Sequence, residues 1–274
     1  PISIFKIKEG VNYLPQDANY DIFKRACEVS LDRGIITFEF LDSSFNKKFY
    51  SKNNYDTEVA YMGYRTRVME NMVDTSKEIT PGRGILSVTS INLPRIGIKN
   101  GTSLNGKANL NGFFQELEEK LDLVKDQLLE RFEMQCSKKV YNFPFLLGQA
   151  LWIDSEKLKE TDNLKKVLKQ GTMSIGFTGL AECLKALTGK HHGESKEAQE
   201  LGLKIISFMR EKCDKYSEKY NLNFSLTATP SGNLSTDLIQ MDQAIYGKIK
   251  NITKKFTQIL FNYRKVIKFQ QRKK

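Results

Sequence analysis

A repeated change of hydrophobic period constrains this chain more than any other feature. After Asn111, Phe114, Leu117, Leu121, Val124 and Leu128 recur at three- and four-residue spacing, with Glu and Lys between them. That pattern sets one apolar stripe along a long helix. Before it, Leu86–Leu93 (LSVTSINL) is β-branched and closed by Pro94, which reads as a strand. After it, Met173–Phe177 is a short apolar run behind Gly171, leading into a helix from Leu180 to Leu187 stopped by Gly189. Glu194 to about Tyr220 is helical again, with Leu201, Ile205, Phe208 and Met209 as its apolar face. Asn223–Ala228 (NFSLTA) is a strand broken by Thr229-Pro230, and Thr37–Leu41, within GIITFEFL, is an earlier one. Strands alternating with long helices predict an α/β protein with parallel pairing. Lys99–Gly106 and Thr161–Lys169 read as polar connectors.

The chain has 274 residues, 40% of them hydrophobic, so one large domain or two smaller ones can bury a core. No apolar run is long enough for a membrane span, and PISIFKIKEG lacks the layout of a signal peptide. The first residues read as the middle of a domain, hence a fragment or a processed chain, and the expected location is cytoplasmic. The formal charge of +11 invites a nucleic-acid partner, but its distribution argues otherwise. No acidic residue follows Asp242, and ten of the 43 basic residues do. The first 242 residues hold 33 basic against 32 acidic side chains, a net of +1, so the basicity belongs to a tail.

Motifs with an obvious chemistry are few. No P-loop, HExxH, GxSxG or strand-borne GxGxxG is present. Cys27, Cys136, Cys183 and Cys213 form no CxxC pair and read as reduced, buried thiols. His191 and His192, in GKHHGES, suit a surface loop that caps the next helix better than a metal site, which needs three or four ligands. PGRGILS (Pro81–Ser87) is either an ordinary turn or a place where backbone approaches a ligand. TPSGNLS (Thr229–Ser235) is either a plain strand-to-helix connector or a helix start whose N–H groups take a phosphate. EVAYMGYRTRV (Glu58–Val68) is a Gly-containing loop followed by two arginines.

Taken in order and spacing, EVAYMGYRTRVMEN, SINLPRIGI, NFPFLLGQAL, GTMSIGFTGLAECLKALTGKHHGES and NFSLTATP closely resemble the catalytic subunit of anaerobic (class III) ribonucleoside-triphosphate reductase. The resemblance runs from Pro1 to about Ile252 and assigns residues 1–252 to the catalytic barrel with its finger loop. It leaves 253–274 as a basic, off-pattern tail that reads as an out-of-frame or truncated end. It implies an α/β fold, here an incomplete ten-stranded α/β barrel of the glycyl-radical enzyme type, with a finger loop through its centre. The implied activity is reduction of a ribonucleoside triphosphate for DNA synthesis, by glycyl and thiyl radical chemistry with formate. Implied cofactors and partners are a SAM-dependent radical activase, ATP or dATP effectors, a structural zinc and a second copy of the chain. The cone, zinc and glycyl-radical segments of the family are not recognisable in these residues, and the chain itself is expected to bind no metal.

Carried across by position, the resemblance also marks departures. The family's Met-Gly-Cys-Arg finger loop reads Met62-Gly63-Tyr64-Arg65, so the thiyl cysteine falls on Tyr64. In Gly82-Arg83-Gly84-Ile85-Leu86 the family's asparagine, whose amide lies beside the substrate hydroxyls, is Ile85. The loop on the phosphate side, Thr-Pro-Ala-Glu-Gly in relatives, is Thr229-Pro230-Ser231-Gly232-Asn233. With Met62 and Gly63, these five residues are the implied substrate contacts. A phenoxyl radical is delocalised and too stable to take a ribose hydrogen, and its ring is bulkier than a thiol. An apolar Ile85 leaves substrate hydroxyls unpaired, at about 1–3 kcal/mol for an unmet buried polar group. The expectation is an inactive member of the family. A non-catalytic partner of an intact reductase is the alternative, and a basic nucleic-acid-binding module is a weaker one.

Overall fold

The computed structural model describes residues 3–33, 36–54, 57, 70–78, 81–102, 106–229 and 232–253. The chain divides into two compact units, built mainly from residues 1–84 and 85–262.

The first unit contains a strand-helix-strand motif. β1 (Ser3–Ile7) pairs in parallel with β2 (Ile36–Phe40), and α1 (Tyr20–Arg33) connects them. Phe5, Phe23 and Phe38 pack with ring centroids 6.0–6.1 Å apart, and Ile7 and Ala26 are buried beside the sheet. α2 (Ser44–Phe49) starts at Ser43, whose Oγ accepts from Asn46 N–H, a cap that satisfies a helix-end donor. The buried Asn46 amide donates to the Glu39 carboxylate and to the Phe40 carbonyl (2.7 Å).

The second unit carries a three-stranded parallel sheet in the order β3 (Ile85–Asn92), β4 (Thr172–Thr178), β5 (Asn223–Ala228). α3 (Leu93–Asn100), α4 (Leu110–Cys136) and the single turn α5 (Lys165–Leu168) lie between β3 and β4. α6 (Leu180–Thr188) and α7 (Lys196–Tyr220) connect β4 to β5, and α8 (Gly232–Tyr246) follows. Alternation along a strand sends neighbouring side chains to opposite faces. Ile91, Met173, Ile175 and Phe224 join the core formed with Leu117, Leu121 and Leu128 of α4 and Ile205 and Met209 of α7. Apart from Val88, which pairs with Ser174, the opposite face is mostly polar and small. Ser90, Asn92, Thr172, Ser174, Gly176, Thr178, Ser225 and Thr227 share it by register, and Ser174 and Ser225 hydroxyls bond at 2.9 Å.

Several expectations hold with small shifts of boundary. The long helix starts one residue early, at Leu110, because Asn109 caps it by accepting from Gly112 N–H (3.0 Å). One is corrected. Thr161–Lys169 is not a plain connector, since α5 lies within it and Leu164, Val167 and Leu168 are buried. Polar flanks hid three apolar residues that the core takes in. The strand closes before Pro94 as expected, and Pro94 sits in the first turn of α3, where its missing N–H is no loss. No helix among the described residues is long and apolar enough to cross a membrane.

Candidate functional site

The carboxyl ends of β3, β4 and β5 gather the polar groups that have no role in the core. Thr229 extends the β5 ladder by donating its N–H to the Phe177 carbonyl (2.9 Å). Its Oγ1 meets Ser90 Oγ at 2.7 Å, bridging from the end of β5 to β3. The bridge passes over Gly176 of β4, where a Cβ would fall on both hydroxyls. Glycine is therefore required there by close approach rather than by backbone angle. One step further, Asn92 Nδ2 donates to Asp242 Oδ2 (2.8 Å), and Arg95 Nε donates to Asp242 Oδ1 (2.6 Å). Asp242 lies on α8 and is buried. The start of the loop after β5 and the helix that follows it are thus both tied to the end of β3.

This cluster includes one residue named by sequence reasoning, Thr229. Pro230 and Ser231 lie outside the described residues, and Gly232 and Asn233 open α8 with side chains that also lie outside them. Met62, Gly63 and Tyr64 lie outside the described residues as well. Ile85 is not brought to Thr229. It begins β3, level with Thr172, next to a register shift, whereas Thr229 follows the opposite end of the sheet. Six residues of strand separate those levels, roughly 20 Å. Sequence reasoning missed Ser90, Asn92, Arg95 and Asp242. A signal existed: Arg95 is a lone charge in the apolar run INLPRIGI, and Asp242 is the last acidic residue of the chain.

The remaining candidates have local roles. Arg83, in the Gly-rich turn, is buried and donates to the carbonyls of Glu70 (2.8 Å) and Lys77 (3.3 Å). Burial lowers its pKa to about 10, against the pull of Glu78. His191 Nδ1 accepts from Gly193 N–H (2.9 Å), so its proton sits on Nε2, 3.2 Å from Glu194 Oε1. Glu194 also accepts from His191 N–H (3.0 Å) and pairs with Lys185 (3.3 Å). The GKHHGES loop caps α7 as expected, through its last residue Ser195, which accepts from Ala198 N–H (3.1 Å). The four cysteines are free. Burial, with Glu133 nearby, pushes Cys136 up to about 11, and burial with Asp214 pushes Cys213 up to about 12. Burial raises Cys183 further and Cys27 more modestly. None of these thiols is a thiolate at neutral pH. Among the described residues no three His, Cys, Asp or Glu side chains come together as a metal site, so they do not fit a structural zinc.

A parallel sheet with one apolar, helix-covered face and a polar cluster at its carboxyl ends defines an α/β protein of the kind that holds ligands at that end. Residues 1–269 match the family described as anaerobic ribonucleoside-triphosphate reductase, and the chain belongs to that family. The match takes in most of residues 253–274. Curated relatives include the anaerobic ribonucleoside-triphosphate reductases of Salmonella typhimurium, 29% identical over 93% of this chain and 34% of the relative, and of Enterobacteria phage T4, 28% identical over 93% and 39%. The chain spans a little over a third of the length of the curated relatives it matches. Among solved structures, the Thermotoga maritima anaerobic ribonucleotide reductase in complex with dATP and CTP aligns with 95% of this chain and 38% of its own, at 15% identity and a TM-score of 0.57. The same enzyme with MES in the active site aligns with a TM-score of 0.59 at 14% identity. The fold is that of part of these α/β barrels.

Proposed function

We propose that this chain is core barrel sequence of an anaerobic ribonucleoside-triphosphate reductase that has lost the residue needed for turnover. The observation that carries the reading is the family match over residues 1–269 combined with Tyr64 at the position of the thiyl cysteine. In this reading a ribonucleoside triphosphate lies at the carboxyl end of the sheet, with its phosphates at Thr229–Asn233. The tether from Ser90 to Thr229 supports that assignment, because it gives the loop a fixed start. By the family's pattern Met62 and Gly63 belong to the finger loop, and Ile85 stands at the position of the family's asparagine. Formate, ATP or dATP effectors, a SAM-dependent activase and a second copy of the chain are the family's co-reactants and partners. The glycyl radical supplies the oxidising equivalent in active members; zinc has no ligand set among the described residues. The location is the cytoplasm.

The test is reduction of a ribonucleoside triphosphate by the purified chain with activase, S-adenosylmethionine and formate. No deoxynucleotide is expected, and measurable product overturns the inactivity. The same tyrosine favours a second reading, a non-catalytic partner that keeps the sheet and not the chemistry. Co-purification with a full-length reductase subunit supports it, and a monodisperse lone monomer counts against it.

A further inference from the structure

Side chains of α4 meet the outer edge of β3. Among the described residues β3 has a partner strand on one side only, β4. The ladder fixes which of its backbone groups face away from β4. Thr229 N–H bonds the Phe177 carbonyl, so the Phe177 backbone faces β5. Alternation then turns the Ser174 and Gly176 backbone toward β3. Their register partners are Val88 and Ser90, and a parallel ladder bonds the residues that flank each partner, here Ser87, Thr89 and Ile91. The N–H and carbonyl of Val88 therefore point outward. Gln135 Nε2 donates to the Leu86 carbonyl (3.1 Å). Arg131 Nη1 lies 3.4 Å from the Val88 carbonyl, 3.3 Å from Ser87 Oγ and 3.2 Å from Thr89 Oγ1. Thr89 Oγ1 donates to Gln127 Oε1 (2.9 Å). The spacing fits: four residues of helix advance about 6 Å, and two residues of strand about 6.6 Å. One turn of α4 thus serves each outward step of β3. No carboxylate among the described residues pairs with Arg131, so its charge is committed to the strand edge.

We infer that Gln127, Arg131 and Gln135 form an edge guard that keeps a second copy of the chain from adding a strand to β3. An open edge is a template for pairing with another chain, and folds prevent that with a charge aimed at the edge or an irregular register. Both devices are present here, since the register of β3 shifts between Ile85 and Ser87. A strand docking on β3 would compete for the Val88 and Leu86 carbonyls. It would also cover the Arg131 guanidinium while removing its acceptors, which is unfavourable for a charged donor. The β5 edge lacks this cover. Ser217 Oγ takes the Phe224 N–H (2.9 Å), and no side chain among the described residues bonds the Leu226 or Ala228 backbone. The guard is built for one edge of the sheet.

Sedimentation velocity of the full 274-residue chain over a concentration series tests this. Association of the unaltered chain, through whatever surface, is the baseline. Arg131→Ala combined with Gln135→Ala is expected to bring the onset of larger species to about tenfold lower concentration, the scale of a lost charged hydrogen bond. Val88→Pro removes the outward N–H and leaves the bonds of Ser87 and Thr89 to β4, as proline on an edge strand can. Added to the double variant, it is expected to return association to the baseline. Ile252→Ala opens a buried site away from β3 and is the control for general loss of stability, with no expected change in onset. An unchanged onset in a double variant that circular dichroism shows to be folded overturns the inference. So does association that persists with Val88→Pro, or an equal rise in Ile252→Ala, because either marks general aggregation rather than pairing on β3. If the double variant does not fold, Arg131→Gln alone decides by the same readouts.

Discussion

Gly176 shows how a single residue governs the site. Its missing Cβ leaves the space in which the Ser90 and Thr229 hydroxyls meet. Gly176→Ala is expected to break that bridge or shift β4, costing about 1–3 kcal/mol as overpacking. A lowered denaturation midpoint checks it. His192 sets a different residue-scale effect. Burial holds its pKa below 6.5, so the unfolded chain takes up a proton first as pH falls. Stability is then lost below about pH 6.5, until the folded-state value is passed. His191, Glu194 and Lys185 share the loop, and Glu194 titrates in another window. Burial opposes its ionisation, but bonds from His191 N–H and Lys185 hold its pKa below 4.5, so its contribution is lost only at lower pH. His192→Gln is expected to flatten the stability profile just below pH 6.5 and leave the acid limb, as measured by denaturant titration at several pH values. The sequence placed these histidines past a helix stop, but the approach of His192 to Gly202 of α7 comes from packing, which spacing does not encode.

At the scale of elements, helix ends carry the clearest expectations. Ser195→Ala removes the α7 cap and is expected to cost about 1 kcal/mol. Asn221 ends the same helix in the left-handed region (φ 50°), where glycine has no Cβ penalty, so Asn221→Gly is expected to be neutral or stabilising by up to about 1 kcal/mol. Both are read from thermal melts. The crossing of α3 on α6 depends on Gly97, whose Cβ would stand 3.0 Å from the backbone of Cys183. Helix α7, strand β5 and the apolar stripe of α4 were readable because period and turn residues agree there. α3 was not: LPRIGIKN is short, contains Pro and Gly, and is helical because Leu93, Ile96 and Ile98 are buried against neighbours. α1, α2 and β1 also escaped the sequence reading, and α5 is a single turn folded down by three buried apolar residues.

For the molecule as a whole, charge and family give the expectations. The first 242 residues are nearly neutral, so the family reading expects no binding of duplex DNA at physiological salt. A filter-binding isotherm tests that: tight binding that falls steeply with salt and disappears on deletion of residues 253–274 marks the nucleic-acid reading instead. Within the second unit, Ile252 is buried with Ile98 and Ala186, and Thr253 accepts from Gln243 Nε2 (3.1 Å) through its carbonyl. Ile252→Ala is expected to lower stability by about 2–4 kcal/mol. The parallel α/β class, the family and the oddity of Tyr64 are legible in the chain alone, because each is written in local order: period, turn chemistry and contiguous motif. Which polar groups meet is set by packing between distant segments. Ser90 and Thr229 lie 139 residues apart in the chain and are brought within bonding distance by parallel strand register, while Arg95 and Asp242, 147 residues apart, meet where α3 and α8 pack at the same end of the sheet. The same register sets Ile85 at the opposite end of the sheet from Thr229, a separation that chain order alone does not give.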